Sequence, residues 1–525
     1  MTRRVVRLRG TSGPGTSRPA ATHPAPGPGS SGPATDGQGA AAGSAPEGSA
    51  APGALEAAFA QIRAEFDVPA GFPPEVLAQA QAAAQDPPGL PATPRDETDV
   101  EFVTIDPVGS MDLDQALAVE RAGSGYRVRY AIADVPAFVA DGGAVDVEAR
   151  RRTQTVYLPD GRVPLHPPVL SEGAGSLLPD VDRPAFVWEL RLDADGELVD
   201  TQVRRSLVHS RARLDYAGVQ ADLDAGRAGE ALRLLAEVGA KRLDLEVARG
   251  GASLPMPEQE VVAADGRYRL AYRPALAVED FNAQISLLTG MAAAELMLAG
   301  GVGILRTMPA PDPAAMARFR RVVASRGVTW PAGQSYGAFL RHLRSDDPVH
   351  LAIIHEATGL FRGAGYTAFD GAPPEQREHA AIAAPYAHVT APLRRLVDRF
   401  GLLVCAALAA GEPVPESVRA ALGGLPDLMR AGDQRASAID RAATDAVEAA
   451  VLTDRVGEEF EAVVVDDRGD KGLVVALTEP AIIAACDRPG AGPGAVSEGG
   501  VLRVRLTEAD IARRRVRFVV AGEAR

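Results

Sequence analysis

The chain has 525 residues, of which 46% are hydrophobic, and it carries a formal net charge of −14. This length predicts about two to four domains, and the negative charge argues against a protein that coats nucleic acid through bulk electrostatic attraction. The two cysteines, Cys405 and Cys486, lie far apart without CxxC spacing, which excludes a disulfide framework and a structural zinc site. The first ten residues lack the apolar stretch of a signal peptide, and no run of about 20 apolar residues follows. We therefore expect a cytoplasmic protein with no membrane partner.

Two kinds of sequence make up the first 98 residues. Residues 1–54 are of low complexity, and Gly, Pro, Ala, Ser and Thr make up nearly all of 11–54. Too few large apolar groups are present to offset chain entropy, so we predict that this segment is mostly disordered. Residues 55–98 predict a short helical region, with helices in LEAAFAQIRAEFDV and PPEVLAQAQAAAQ, and then a proline-rich linker.

In the rest of the chain, the spacing between apolar residues changes twice. Residues 99 to about 210 predict mainly strands, because apolar runs alternate there with turn residues. Helical spacing follows at 215–245, 278–299, 314–326 and 350–362. This order, strands first and helices later, predicts an α+β fold for 99–410 rather than a doubly wound parallel sheet. Residues 411–457 predict a helical connector, and 458–525 predict a small barrel of the oligonucleotide-binding (OB) type.

The segment DPVGSMDLDQ, residues 106–115, concentrates negative charge. Asp106 precedes a Pro/Gly turn, and Asp112 and Asp114 share one face if the segment after the turn is extended. Carboxylates this close raise each other's pKa unless a cation lies between them, and oxygen-rich sites suit Mg²⁺ or Mn²⁺. Two structural alternatives remain open: a solvated turn, and acidic caps on a helix that begins near Ala116.

The segment YAHVTAPLRRLVDRFGLLV, residues 386–404, predicts the start of a helix. Thr390 is a suitable N-cap and Pro392 suits the first turn. A helix N-terminus beside the paired Arg394 and Arg395 would bind phosphate. The alternative is a surface helix in which Asp398 pairs with Arg394.

Together these segments resemble the ribonuclease II/R family and its catalytic RNB domain. TIDPVGSMDLDQA is similar to the family's TIDPxxxxDLDDA, and HVTAPLRRLVDR is similar to HFTSPIRRYPDL. Between them, VYLPDGRVPLHPPVLSEGAGSLLPDVDR, RARLDY and VEDFNAQISLLTGMAAAELM match further family segments in the same order. The resemblance spans roughly residues 99 to 405.

The resemblance implies a Mg²⁺-dependent hydrolytic exoribonuclease, with Mn²⁺ as a second candidate cofactor. Such an enzyme shortens single-stranded RNA from its 3′ end and releases nucleoside 5′-monophosphates, and we expect it to act as a monomer. By position, the implied metal ligands are Asp106, Asp112, Asp114 and Gln115. The implied catalytic residues are Asp112, Asp114, Arg394 and Arg395, and the implied RNA-binding residues are Tyr157, Tyr216 and Glu279.

Three departures from the family pattern weaken this expectation. Gln115 stands where the family places a fourth Asp, and a neutral amide supplies no charge to a metal. Leu396 replaces the tyrosine that usually follows the two arginines. The region before residue 99 lacks the family's paired cold-shock barrels, which predicts low processivity. The alternative hypothesis is therefore a catalytically impaired RNA-binding or regulatory relative.

Overall fold

The structure is a computed structural model that describes residues 52–523, apart from 92, 253–257, 265–266, 274, 345–346, 478 and 489–498. Most of the segment predicted to be disordered, residues 1–51, lies outside the described residues, and a helix already begins at Pro52. Helices and strands are mixed in the order that the sequence predicts, which confirms the α+β class.

Twelve α-helices and eighteen strands are formed by the described residues. The helices are α1 (Pro52–Glu65), α2 (Pro74–Gln85), α3 (Ala144–Arg152), α4 (Tyr216–Asp224), α5 (Glu230–Arg249), α6 (Ala277–Gly300), α7 (Pro313–Ser325), α8 (Tyr336–Arg341), α9 (Pro348–Ala357), α10 (Leu396–Ala410), α11 (Glu416–Leu422) and α12 (Leu425–Leu452). The strands are β1 (Arg95–Asp106), β2 (Gln115–Ala122), β3 (Gly125–Ala133), β4 (Val156–Leu158), β5 (Gly161–Val163), β6 (Asp182–Leu192), β7 (Leu198–Asp215), β8 (Glu258–Ala264), β9 (Arg267–Arg273), β10 (Val302–Thr307), β11 (Gly365–Asp370), β12 (Glu378–His379), β13 (Ala384–Pro385), β14 (Glu459–Asp467), β15 (Leu473–Leu477), β16 (Ile482–Asp487), β17 (Val501–Asp510) and β18 (Arg515–Glu523).

The first half of the chain closes a five-stranded barrel in the order β1-β2-β3-β6-β7. Neighbouring strands are antiparallel except at the closure, where β1 runs parallel to β7 and Asp106 lies opposite Asp215. Alternation along the strands directs Tyr130, Phe186 and Trp188 into the core, where each is fully buried. Because parallel strands present their carboxyl ends at the same rim, Asp106 and the residue after β7 share one rim of this barrel.

α6 is the central helix of the part of the fold that contains the first barrel. Among the described helices it alone is long and apolar enough, by composition, to cross a membrane, which the sequence reading had not expected. Most of its apolar residues are buried in the same core as the first barrel, α5 and α10, and 56% of its most apolar stretch is buried inside the structure. α6 is therefore a core helix of this fold.

The C-terminal strands close a second five-stranded barrel, in the order β14-β15-β16-β18-β17. This confirms the predicted OB-like barrel. Its inward residues share one hydrophobic core with α12, α1 and the short strand β4. The second barrel is thus joined to the rest of the chain through two helices and a hairpin.

The predicted helix start at Thr390 is wrong. Residues 390–395 form a loop, here called the arginine loop, and α10 begins at Leu396 with Arg395 as its N-cap. A single turn forms within this loop, from the Arg394 N–H to the Ala391 carbonyl at 3.2 Å, whereas the Ala391 N–H donates to Asp398 and the Thr390 carbonyl accepts from Gln115. These partners replace the backbone hydrogen bonds that a helical turn would have made.

Candidate active site

The acidic loop, residues 107–114, runs from the end of β1 to the start of β2. Gly109 adopts a positive φ of 84° and the Ser110 N–H donates to the Pro107 carbonyl, which forms the predicted Pro/Gly turn. Leu113 is fully buried, and Ser176 fixes the loop by accepting from the Leu113 N–H and donating to the Met111 carbonyl. The helix that Asp112 and Asp114 were alternatively predicted to cap does not form, because β2 begins at Gln115.

Asp112 is paired with an arginine from a neighbouring hairpin. Its carboxylate accepts from the Arg162 guanidinium, which also forms an ion pair with Glu172 at 2.9 Å. The β4–β5 hairpin positions this arginine, because Tyr157 lies directly opposite Arg162 in its register. Pro159 and Asp160 form the connecting turn.

Asp114 is 5% exposed and contacts the arginine loop. Its Oδ1 accepts from the Leu393 N–H at 2.7 Å, and its Oδ2 lies 3.4 Å from Arg394 Nε. Burial raises the pKa of Asp114 well above its ordinary value, although Arg394 and the Leu393 N–H oppose the shift and Asp112 adds to it. A cation would favour the charged form of this carboxyl group.

The two arginines of the arginine loop are in different environments. The Arg394 side chain is 50% exposed and faces Asp114, so part of its guanidinium is open to a ligand. Arg395 is bound to Asp398 instead, with Nε to Oδ2 at 2.5 Å and Nη2 to Oδ1 at 2.7 Å. The predicted alternative ion pair between Asp398 and Arg394 is therefore replaced by one between Asp398 and Arg395.

Both polar atoms of the Gln115 side-chain amide form hydrogen bonds. Oε1 accepts from the Tyr130 hydroxyl at 2.5 Å, and Nε2 donates to the Thr390 carbonyl at 2.6 Å. The Thr390 hydroxyl is in turn 2.8 Å from Ser286 Oγ on α6. These contacts connect the first barrel, the arginine loop and α6.

The predicted RNA-binding residues surround these groups. Tyr157 is 42% exposed and lies among Asp112, Asp114 and Arg394. Tyr216, the first residue of α4, accepts from Asn282 Nδ2 at 3.2 Å.

Asp106 and Glu279 lie near Tyr216. Burial raises the pKa of Tyr216, and the negative charges of Asp106 and Glu279 raise it further. Glu279 accepts two hydrogen bonds from Arg273, at 2.8 and 3.2 Å, so a sugar hydroxyl would share this carboxylate with an arginine.

The sequence reading missed two residues of this site, Arg162 and Tyr130. The turn signal Pro159-Asp160-Gly161 predicts a hairpin that would have placed Arg162 opposite Tyr157. Nothing local in the sequence identifies Tyr130 as the partner of Gln115.

The donor chemistry of the site fits a magnesium ion. Within the part of the chain that the structure describes, no group of three or more His, Cys, Asp or Glu side chains is arranged to hold a metal. Mg²⁺, however, is usually bound by one or two carboxylates together with water and substrate phosphates. Asp112 and Asp114 provide such carboxylates, and because burial raises the pKa of Asp114 even beside Arg394, a further cation would favour its charged form. The full predicted ligand set, with Asp106 and Gln115, stays a prediction.

Comparison with known protein families defines the class of this chain. The family model described as "RNB domain" matches residues 95–404, which is more than half of the chain, and "RNase II-type exonuclease C-terminal S1 domain" matches residues 458–521. The chain therefore belongs to the RNB domain family, and its C-terminal barrel is of the S1 type.

Individual relatives agree with this assignment. Ribonuclease R of Escherichia coli K12 is 28% identical over 397 residues, which cover 70% of this chain and 48% of that protein. A protein of Arabidopsis thaliana named inactive exonuclease DIS3L2 is 30% identical over 358 residues, 60% of this chain and 33% of its own length. The solved structure of Mycoplasma genitalium RNase R in complex with ribose methylated single-stranded RNA has the same fold, with a TM-score of 0.80 at 19% identity over 89% of this chain and 78% of that chain. This chain thus spans half or less of the length of these two curated relatives.

Proposed function

We propose that this chain is a Mg²⁺-dependent hydrolytic exoribonuclease that degrades single-stranded RNA from its 3′ end to nucleoside 5′-monophosphates. The observation that carries the proposal is the meeting of Asp112 and Asp114 with the half-exposed Arg394, beside the exposed ring of Tyr157. These groups come from three separate segments of the chain, so their convergence is a property of the fold.

The arrangement suits the binding of an RNA end. The guanidinium of Arg394 presents planar donors to phosphate oxygens, and the exposed face of Tyr157 offers a base a stacking surface worth about 1–3 kcal/mol. Asp112 and Asp114 would hold the magnesium ion. When bound, this ion would supply an activated water and would neutralise charge that develops on the phosphate. The RNase R relative bound to single-stranded RNA supports this choice of substrate.

A catalytically impaired RNA-binding protein is the second candidate function. It is favoured by Gln115, whose amide adds no negative charge and already makes two hydrogen bonds. A relative that is named as inactive supports considering this alternative. In that case the tyrosines and Arg394 would bind RNA while no phosphodiester bond is cleaved.

A degradation assay separates the two candidates. A 5′-labelled single-stranded RNA with a free 3′ end is incubated with the full chain and Mg²⁺, beside the same RNA with a blocked 3′ end and a DNA oligonucleotide of the same sequence. We expect a ladder of shortened products from the first substrate alone, and nucleoside 5′-monophosphates in the soluble fraction.

Matched variants connect the activity to the site. Asp114→Asn should abolish the ladder, because it removes a site carboxylate, and Arg394→Ala should lower kcat by about 10²-fold or more. The exposed Asp200 and Arg430 provide controls, since Asp200→Asn and Arg430→Ala should leave the rate unchanged. RNA binding without shortening by the unaltered chain would contradict the exoribonuclease and support the binding protein.

A further inference from the structure

The amide of Gln115 can adopt only one orientation in this structure. A carbonyl oxygen accepts and never donates, so the group that faces the Thr390 carbonyl at 2.6 Å must be the NH₂ of Gln115. The amide oxygen is then left to face the Tyr130 hydroxyl at 2.5 Å, which donates to it. Both halves of the amide are therefore used, one as donor and one as acceptor.

These bonds act on the same loop that Asp114 holds. Asp114 accepts from the Leu393 N–H at 2.7 Å, and Gln115 donates to the Thr390 carbonyl. Two adjacent residues of the chain thus fix the arginine loop at two points, three residues apart. Ser286 holds Thr390 from the α6 side through the hydroxyl contact at 2.8 Å. Arg394 follows directly after Leu393, so its position depends on this attachment.

A carboxylate at position 115 could not form both hydrogen bonds. It has no donor for the Thr390 carbonyl, and its oxygen would lie against that carbonyl oxygen. It would also add a further negative charge directly next to Asp114 in the chain. A neutral group that both donates and accepts is required, and glutamine meets both conditions with a side chain long enough to reach both partners.

We propose that Gln115 is a positioning residue, which fixes the arginine loop and so the guanidinium of Arg394 against Asp114, rather than a weakened metal ligand. The expected loss of rate rests on the proposed exoribonuclease activity. The expected loosening of the arginine loop does not. It implies that this site has been rebuilt around an amide and that restoring an acidic residue is harmful.

Two variants test the positioning role, each with a matched control. Gln115→Glu keeps the shape and the acceptor but loses the donor to Thr390, whereas Tyr130→Phe removes the donor to Gln115 with little change in packing. Gln202→Glu, on the exposed side of β7, is the control for the added charge, and Tyr336→Phe, remote in sequence from the site, is the control for the lost hydroxyl.

Hydrogen–deuterium exchange of peptides from 386–400 is measured without metal or RNA, and kcat, KM and the Mg²⁺ concentration for half-maximal rate are measured with single-stranded RNA.

The expected result is faster exchange in 386–400 for both site variants and for neither control. We also expect kcat to fall by about tenfold, as when a buried polar partner is lost, with the half-saturating Mg²⁺ concentration unchanged. A lower half-saturating Mg²⁺ concentration with full or higher activity in Gln115→Glu would show a metal ligand and overturn the proposal. Unchanged exchange in both variants would overturn it as well.

The two proposals fail separately. If the unaltered chain does not degrade RNA, the exoribonuclease is rejected, while faster exchange in the variants still supports the role of Gln115. If Gln115→Glu does not fold, Tyr130→Phe decides the outcome by the same two measurements.

Discussion

The two aspartates of the acidic loop are neutralised in different ways. Asp112 pairs with Arg162 from the β4–β5 hairpin, whereas Asp114 is buried against the arginine loop and pairs with the more exposed Arg394. A metal that binds Asp112 must therefore compete with a guanidinium of the same chain. Asp114 depends more on a nearby cation than Asp112 does, because burial opposes the ionisation of Asp114.

Removing Arg162 should make the site easier to load with metal. In Arg162→Ala the Asp112 carboxylate loses its internal cation, so we expect the half-saturating Mg²⁺ concentration to fall by about threefold to tenfold, equivalent to about 0.7–1.4 kcal/mol. A Mg²⁺ titration of the degradation rate measures this, with Arg430→Ala as the control. A rise in the half-saturating concentration would show that Arg162 orients Asp112 for the metal.

Sequence patterns predicted which segments form the site but not how their side chains pair. The motifs at 106–115 and 386–404 identified Asp112, Asp114 and Arg394, which the fold brings together. The Asp398 to Arg395 pair was missed because residues 390–395 are not helical. The hydrogen bond from Gln115 to Thr390 joins residues 275 positions apart, and no local period carries that information.

At the scale of elements, α1 connects the two halves of the molecule. Its buried face, which includes Leu55, Phe59 and Ile62, shares one core with α12, the C-terminal barrel and β4. Two ion pairs flank this core, from Arg63 to Asp160 at 2.6 Å in the Tyr157 hairpin and from Glu65 to Arg514 at 2.7 Å in the barrel. The hairpin that carries Tyr157 and Arg162 is thus supported by α1.

Substitutions in α1 should distinguish how much apolar packing and how much the ion pair contribute to the free energy of unfolding. Phe59 is 1% exposed, so Phe59→Ala should lower the free energy of unfolding by about 3–5 kcal/mol and weaken RNA binding through the hairpin. Arg63→Ala removes a partly exposed ion pair and should cost less than about 1 kcal/mol. Urea denaturation and fluorescence anisotropy with labelled RNA measure both effects. Equal costs for the two variants would contradict the packing argument.

At the scale of the whole molecule, buried histidines make the fold sensitive to acid. Burial lowers the pKa of His166 to about 3 and that of His379 to about 4, and it holds the pKa of His388 well below its ordinary value of 6.5. These groups stay neutral in the folded chain while the unfolded chain takes up protons below pH 6.5. The unfolded state therefore gains protons as the pH falls, and folding becomes less favourable between pH 6.5 and about 4.

The expected loss in free energy of unfolding is about 1.4 kcal/mol per pH unit for each buried histidine, between pH 6.5 and about 4. Urea denaturation at pH 7.5 and 5.5, followed by tryptophan fluorescence, measures the total. His166→Gln should reduce the loss, whereas substitution of the exposed His342 by Gln should not. An identical pH dependence in the His166 variant and the unaltered chain would contradict this account.

The parallel pairing of β1 with β7 links the assembly of the candidate site to the closure of the barrel. Asp106 ends one strand and Tyr216 follows the other, and the two strands lie about as far apart in the chain as the barrel allows. A chain that has formed the β2-β3-β6 meander but not this seam would not bring Asp106 and Tyr216 to the same rim. If the proposed function is correct, a partly folded molecule without this seam should be unable to cleave RNA.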